Sequence, residues 1–435
     1  MTLTDEMAKA FQLIEETTEH LYITGKAGTG KTTFLKYIVE NTHKRIMVAA
    51  STGIAAINAG GVTLHSLLGI PLAIHDPNSI IGGKFYPDKV AMFKMLDTLI
   101  IDEISMVRPD TLDYVDKKLR LYRMVDEPFG GVQIVMFGDL YQLPPVVKTD
   151  EKNILLQMYR GVYFFYAHVF RSCGFKVIEL SHVFRQSDGR FVEILNHIRN
   201  YKLTNRDIND LDTLRDRRES QNYSNEHIHI CTYKRDVQKI NQEMLGEPTH
   251  TYNAVFEGDF PSSFAPCDTS LALRVGARVM MIANDPLHQY CNGSMGHVIN
   301  LTETTITVRL DSGLTVVVGP NKWNAKEYQV KDGKIETIDK GSCTQFPLTL
   351  AWAITIHKSQ GLTFDKIAIH AKGIFAPGQL YVALSRCTTM EGIISESFIS
   401  QKHIIPDREL IAFEQAVKVC NNIFDRNTYR SMRLR

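Results

Sequence analysis

The chain has 435 residues, enough for about three domains, and its 44% apolar content can fill sizeable cores. With 49 basic against 48 acidic residues the net charge is +1, which excludes a polycation that coats DNA but leaves room for a local basic groove. The seven cysteines are scattered and form no C-x-x-C pair, which argues against a zinc site or a disulfide framework and for a reducing compartment. The first residues, Met-Thr-Leu-Thr-Asp-Glu, lack a signal-peptide core and an Arg-rich transit pattern. No apolar stretch reaches membrane-spanning length, so a soluble cytoplasmic protein is expected.

Residues 3 to 19 read as a capped amphipathic helix, with Thr4 as N-cap and Met7, Ala10, Phe11 and Ile14 on its apolar face. Leu21 to Ile23 is a buried strand. It runs into Gly25 to Thr32, which fits G-x-x-x-x-G-K-[ST], and Phe34, Leu35, Ile38 and Val39 then recur at helical spacing. In this strand–turn–helix context Gly25, Gly28 and Gly30 let successive N–H groups face one point, and the helix N-terminus adds partial positive charge. Lys31 is placed to reach the outer phosphates and the Thr32 hydroxyl to ligate Mg²⁺.

A second strand, Arg45 to Ala50, leads into Ser-Thr-Gly at 51 to 53, a turn that opens a helix and reads as another anion cradle at a sheet edge, and Gly61 to Ser66 follows. For Thr52 and His65, capping and packing explain the residues equally well. Pro71, Pro77, Gly82, Gly83 and Pro87 break the α/β rhythm and mark a small insertion. Thr98 to Ile101 is a strand that ends in adjacent carboxylates, Asp102 and Glu103. Consecutive residues at a strand end point different ways, so one can serve a metal and the other an attacking water. Pro109 to Arg123 is a helix with Pro in its first turn. Strand Val132 to Phe137 then ends in Gly138-Asp-Leu-Tyr-Gln142-Leu-Pro-Pro145, where Gln142 either bonds a terminal phosphate or caps a turn. With strand Val177 to Leu180, the first half forms an α/β sheet of largely parallel strands.

Residues 190 to 218 are helical, and Arg215, Arg217 and Arg218 read as a solvated face. A second α/β rhythm opens at His227 to Cys231 and the helix Arg235 to Leu245. Between about 250 and 345 the pattern turns to β, with Ile306, Val308 and Leu310 alternating ahead of a turn and then Leu314, Val316 and Val318. This reads as a small β-barrel inserted into the second α/β domain. That domain resumes at Leu348 to Thr363, an apolar strand or helix ending in His357-Lys-Ser-Gln-Gly361. Strand Ile367 to His370, helix Gln379 to Arg386 and a last helix at about 408 to 424 follow, before a tail with Arg426, Arg430, Arg433 and Arg435.

Taken in order, Gly25 to Thr32, Asp102-Glu-Ile-Ser-Met106, Gly138 to Pro145, Ile356 to Gly361 and Tyr381-Val-Ala-Leu-Ser-Arg386 resemble the motifs of superfamily-one helicases. The stretch Met106 to Gly131, ending Pro-Phe-Gly-Gly, resembles the signature of the Pif family of 5′→3′ DNA helicases, and the likeness runs from about residue 3 to 400. The resemblance implies an α/β fold of two RecA-like phosphate-loop domains, with a wedge and an SH3-like β-barrel as insertions. The first domain would span 1–187, with the wedge at about 66–90; the second would span 188–250 and 346–400 around a β insertion at 251–345; a helix and basic tail would follow at 401–435.

The resemblance also assigns roles. Gly25, Gly28, Thr29, Gly30, Lys31, Thr32 and Thr33, with Gln360 and Gly361, would hold ATP. Thr32 and Asp102 would hold Mg²⁺, Glu103 would be the general base, and Gln142 would sense the γ-phosphate. Arg185 and Arg386 would bring positive charge from across the cleft. Thr52, Gly53, His65 and Ser66 match the first-domain contacts to the single-strand backbone, and Thr232, Thr355, His357 and Lys358 match the second-domain ones. The implied partners are single-stranded DNA and its junctions with duplex, with RNA–DNA hybrids or G-quadruplexes as further candidates, bound by a monomer. The implied setting is genome maintenance, including repair, recombination and telomere maintenance. The family places a Gln ahead of the phosphate loop to read adenine; here Met7 takes that position and Gln12 lies beyond it, leaving the choice of NTP open. The absence of a long N-terminal extension points to a bacterial or phage member.

Two other classes fit part of the pattern. A phosphate-loop kinase or protein-remodelling ATPase would not need the second half with its His-Lys-Ser-Gln-Gly. A non-catalytic single-strand binder would not need Lys31, Thr32, Asp102 and Glu103 intact. Stimulation of ATP hydrolysis by short oligonucleotides separates all three.

Overall fold

The computed structural model describes residues 3–422 apart from 72, 80–86, 187, 221–226, 261, 263–264, 288, 291 and 332–333. The chain divides into two compact units. The first is Met1–Arg185 with Glu327–Ile338 and Pro406–Arg435; the second is Gln186–Lys326 with Asp339–Ile405.

The first unit begins with α1 (Asp5–Glu16), β1 (Leu21–Gly25), α2 (Lys31–Asn41), β2 (Ile46–Ala50), α3 (Gly53–Ala59), β3 (Val62–Thr63) and α4 (Leu64–Leu68). It continues with α5 (Pro87–Met95), β4 (Thr98–Asp102), α6 (Pro109–Arg123), β5 (Gln133–Gly138), α7 (Thr149–Tyr159), α8 (His168–Cys173) and β6 (Lys176–Leu180). The Thr4 hydroxyl accepts from Met7 N–H and starts α1, as its sequence predicts. Six strands form one sheet in the order β3-β2-β4-β5-β1-β6, and the pairs are parallel. The near-continuous apolar runs of β1, β4 and β5 are what a parallel sheet covered on both faces demands. Met7, Ala10 and Ile14 of α1 and Phe34, Leu35 and Ile38 of α2 fill the core on one side, against Ile23, Ile100, Val135 and Phe137.

Of the expected wedge, residues 80–86 lie outside the described residues. The stretch before them is fastened to the start and middle of α6. His75 N–H donates to Asp110, Arg108 to the Ala73 carbonyl, and Lys117 to the Pro77 and Ser79 carbonyls.

The second unit carries α9 (Gly189–Arg199), α10 (Asn205–Ser220), β7 (Ile228–Cys231) and α11 (Lys234–Leu245), then β8 (His250–Asn253), β9 (Val255–Gly258), β10 (Ser270–Leu273) and β11 (Arg278–Met281). Next come β12 (Met295–Leu301), β13 (Ile306–Leu310), β14 (Thr315–Val318), β15 (Asn321–Lys331) and β16 (Lys334–Gln345), whose Glu327–Ile338 portion is counted with the first unit, and β17 (Leu348–Leu350). The unit closes with β18 (Ala353–Thr355), α12 (Ile356–Ser359), β19 (Ile367–Ile369), α13 (Gln379–Leu384) and β20 (Ile393–Ser395). The parallel sheet runs β18-β7-β19-β20. The β insertion is antiparallel where its pairing is described, and its main sheet is β14-β13-β12-β11-β17. Val279, Val298, Ile306, Val308, Leu348 and Trp352 share its core with Leu245 of α11.

Two expectations change. Leu348 to Thr355 is two short strands, because the chain passes from one sheet to the other. β17 pairs antiparallel with β11, Ala351 N–H donates to the Arg278 carbonyl, and the Trp352 carbonyl accepts from His229 where β18 joins β7 in parallel. Arg217 is not part of a solvated face, since its guanidinium donates to the Met390 carbonyl at 2.7 Å. The last helix, α14 (Arg408–Asn422), packs on the first unit: Phe413 stacks on Phe165 with centroids 4.2 Å apart, and Tyr141 and Tyr163 donate to Glu414 and Asp407. The tail arginines from 426 onward lie outside the described residues.

Candidate nucleotide and nucleic-acid sites

In the first unit β4, β5 and β1 are neighbours, so their C-terminal ends bring three sequence-distant segments to one edge of the sheet. Register makes this concrete, with Thr24 opposite Gly138 and Ile101 opposite Met136. β1 delivers the glycine loop. Gly30 caps α2 at φ 79°, a left-handed conformation that glycine adopts without a Cβ penalty. Lys31 Nζ arches back over the loop and donates to the carbonyls of Gly25 at 2.7 Å and Lys26 at 3.0 Å. The buried Thr29 hydroxyl donates to the Lys26 carbonyl and braces the same turn, while Thr32 and Thr33 are exposed on the first turn of α2.

β4 delivers Asp102, which is buried, and Glu103, whose N–H donates to Asp102 Oδ1 at 2.9 Å. Burial pushes the Asp102 carboxyl up to about 6, opposed by that N–H and by the positive charge of Lys31, which places its ammonium within electrostatic reach. Glu103 stands at φ 51°, ψ 47°, a left-handed backbone that a residue with a Cβ adopts at a cost of about 1–2 kcal/mol. Such strain persists where the surroundings impose it.

β5 delivers Asp139 and Gln142. Gly138 must lack a side chain, since a Cβ there would sit 2.9 Å from Ile104 Cγ2 and 3.2 Å from the Ile104 nitrogen. Sensor turn and carboxylate turn are thereby held in contact. Gln142 is buried, and it donates through its backbone N–H to the Asp139 carbonyl and through Nε2 to Asp139 Oδ2 at 3.3 Å. Asp139, fully buried, is the positioning residue that sequence reasoning passed over; its signal was a carboxylate at a strand end with no surface to face.

Two more residues flank the loop. A Cβ on Gly30 would lie 3.5 Å from Met7 Cε and 3.5 Å from Phe184 Cδ2, and Phe184 N–H donates to the Gly28 carbonyl. Met7 is fully buried in the core, so the position that would read adenine offers only an apolar contact. Phe184 is 55% exposed, an aromatic face beside the phosphate loop that sequence reasoning also passed over. Arg185 adjoins it and belongs to the first unit, on the same unit as the loop rather than across from it.

At the other end of the same sheet edge, β2 and β3 end side by side, with Ala50 opposite Thr63. Thr52 caps α3 by accepting from Ala55 N–H, and Gly53 begins that helix with open space where a Cβ would be. Thr63 caps α4, which carries His65 and Ser66. Burial holds the His65 imidazole below its ordinary value, helped by the charges of Arg108 and His75. The four first-unit backbone candidates therefore share two adjacent strand ends.

The second unit repeats the device. Thr355, at the end of β18, is opposite Cys231 of β7, so Thr232 and Thr355 leave neighbouring strands. Thr355 caps α12 by accepting from Lys358 N–H, which leaves His357 and Lys358 exposed, with Gln360 and Gly361 just beyond. Thr232 Oγ1 is buried with no hydrogen-bond partner among the described residues, and the backbone at Gly373 closes on it to 2.9 Å from where a Cβ would stand.

Arg386 is held inside its own unit. Only 1% exposed, its guanidinium donates to the carbonyls of Val382 (2.9 Å), Ser359 and Leu362 (3.3 Å each) and to Ser385 Oγ (3.0 Å). It ties α13 to the turn after α12, and Gln186 Nε2 braces the same turn through the Ser385 and Cys387 carbonyls. An outward-pointing cation is not what this arrangement presents.

The parallel sheet with a phosphate loop at one strand end and paired carboxylates two strands away defines a phosphate-loop NTPase. Comparison with known proteins narrows the class. A family model described as PIF1-like helicase matches residues 2–209. The ATP-dependent DNA helicase Pif1 of Bdellovibrio bacteriovorus is 31% identical over 90% of this chain and 87% of its own length. The Xenopus laevis PIF1 helicase is 34% identical over 86% of this chain, which spans 58% of that protein's length. A Bacteroides Pif1 solved with ADP-AlF4 is 55% identical with a TM-score of 0.91, covering 97% of this chain and 98% of that one. Bacteroides Pif1 bound to single-stranded DNA is likewise 55% identical, with a TM-score of 0.74 over 97% of this chain and 98% of that one. The chain belongs to the Pif1 family of helicases.

Proposed function

We propose that this chain is an ATP-dependent DNA helicase that moves 5′→3′ along single-stranded DNA and separates the duplex ahead of it, with G-quadruplexes and RNA–DNA hybrids as further substrates in genome maintenance. The observation that carries the reading is the meeting of three strand ends, β4, β5 and β1, which supply an acid pair, a glutamine turn and a phosphate cradle along one edge. In this reading the loop N–H groups and Lys31 hold the triphosphate, Glu103 takes a proton from the attacking water, and Gln142 orients it. The Thr32 hydroxyl and the Asp102 carboxylate are oxygen donors of the kind Mg²⁺ takes, and Lys31 keeps Asp102 partly charged despite its burial. When bound there, Mg²⁺ would neutralise charge on the phosphates. Thr52, Gly53, His65 and Ser66 on one unit and Thr232, Thr355, His357 and Lys358 on the other would contact the strand backbone, which makes the grip independent of sequence. Movement requires that ATP bind one state of the chain more tightly than another, since only differential affinity shifts an equilibrium.

The residue range 66–90 as a duplex-splitting wedge, the β insertion as an SH3-like barrel, action as a monomer and a cytoplasmic setting belong to the same proposal. The relatives support the single-strand and junction part of the reading: one is solved on single-stranded DNA, and another is described as unwinding forked duplex through two coordinating Pif1 helicases. The deciding experiment is strand separation on 5′-tailed against 3′-tailed duplexes with ATP, GTP and CTP. Unwinding confined to the 5′-tailed substrate is expected; unwinding only from a 3′ tail, or none with any NTP, overturns the proposal.

A further inference from the structure

Outside these sites, the second unit gathers two imidazoles and a carboxylate that the helicase reading leaves unused. His229 lies in β7, His370 directly follows β19 and Glu396 directly follows β20, three adjacent strands of one parallel sheet. Their backbones are fixed by the sheet. His370 N–H donates to the Ile230 carbonyl at 3.1 Å, Glu396 N–H donates to the Ile369 carbonyl at 2.9 Å, and His229 is in register with Ala368. His229 Nδ1 and His370 Nε2 face each other at 2.8 Å, and with a Glu396 oxygen these atoms all lie within 4.8 Å of one another. The two rings are tilted by 42° with centroids 5.1 Å apart, so they do not stack. All three side chains are half-buried, which screens them from bulk water without closing the site.

We propose that His229, His370 and Glu396 form a binding site for a divalent transition metal of the zinc class. One of the two facing imidazole nitrogens carries the proton between them; for a metal ion to enter, that ring takes the tautomer with its proton on the other nitrogen, and both facing nitrogens then offer lone pairs. Tetrahedral zinc with bonds of about 2.0–2.1 Å sets its ligand nitrogens about 3.3 Å apart, so the pair has to open by about 0.5 Å. A small rotation of each ring about its Cβ suffices for that opening. Two nitrogens and one carboxylate oxygen are a zinc donor set, and water would fill the fourth position. Magnesium prefers oxygen donors and is selected against by the two imidazoles. The sparse cysteine pattern that argued against a zinc site has no bearing here, because no thiolate takes part. The bound ion would clasp three neighbouring strands, holding β7 three residues ahead of Thr232.

The test uses the full chain, stripped with EDTA and dialysed into buffer with millimolar Mg²⁺. Titration with ZnCl₂ is followed by calorimetry and by elemental analysis after dialysis, and Co²⁺ is added separately to read the visible band of a tetrahedral site. One Zn²⁺ per chain is expected, with binding at least tenfold weaker in His370→Ala and in Glu396→Gln and unchanged in His43→Ala, which removes an exposed imidazole. Glu396→Gln preserves side-chain volume, so it decides the matter if His370→Ala fails to fold. Absence of zinc binding at micromolar concentration, or binding that Glu396→Gln leaves unaltered, overturns the proposal.

Discussion

Glu103 shows how one residue carries both strain and chemistry. Its left-handed backbone is imposed by the turn that leaves β4, and its N–H is spent on Asp102. Glu103→Gln keeps the side-chain shape and removes the base. It is expected to lower the rate of DNA-stimulated ATP hydrolysis by about 10²–10⁴-fold while nucleotide affinity, read with a fluorescent analogue, stays within a few-fold. A near-normal rate would reassign the base. Arg386 makes the opposite point. Its described guanidinium bonds stay within its own unit, so Arg386→Met should take a donor from the carbonyls of Ser359, Leu362 and Val382, of which Ser359 keeps the Leu362 N–H and Val382 the Ser385 hydroxyl, and destabilise the second unit by about 1–3 kcal/mol. A finger that acts only on nucleotide would instead lose turnover with no change in melting temperature, so a thermal melt beside an ATPase assay separates the two.

At the scale of elements, α14 was legible as a helix from its apolar spacing, yet nothing in that spacing named its partner. Phe413 stacks on Phe165 at an interplanar angle of 12°, and the aromatic cluster continues to Phe164 and Phe170. Phe413→Ala should cost about 2–3 kcal/mol from lost apolar burial and ring contact. The expected readout is a lower melting temperature together with earlier proteolysis of the helix. An unchanged melt would mean that α14 adds nothing to the first unit. The same scale explains why Leu348 to Thr355 could not be read as one element: an apolar run serves equally well in either sheet, and only the pairing with β11 and then β7 breaks it in two.

For the molecule as a whole, His20 sets a pH limit. Its Nδ1 accepts from Ile134 N–H at 3.1 Å, its ring stacks on Phe175 and meets Phe129 edge-on, and burial lowers it from 6.5 to about 4. Between those values the unfolded chain binds the proton and the folded chain does not. Stability is therefore whole above about pH 6.5 and falls as the pH drops toward 4, by on the order of 3 kcal/mol. Urea unfolding of the first unit's transition at pH 7 and pH 5 should show about 2 kcal/mol of that loss, and His20→Asn should flatten it; a profile the variant leaves unchanged would place the dependence elsewhere. The sequence by itself determined the phosphate loop, the Asp102–Glu103 strand end and the β-rich insertion, because each is written in residues a few positions apart whose spacing matches a strand, a turn or a helix start. Only the tertiary structure decided that Arg386 is buried, that Phe184 lies against Gly30, and that His229 meets His370 across 141 residues of chain. Those contacts follow from which strands are neighbours in a sheet, and strand order depends on the packing of the whole core rather than on any local pattern.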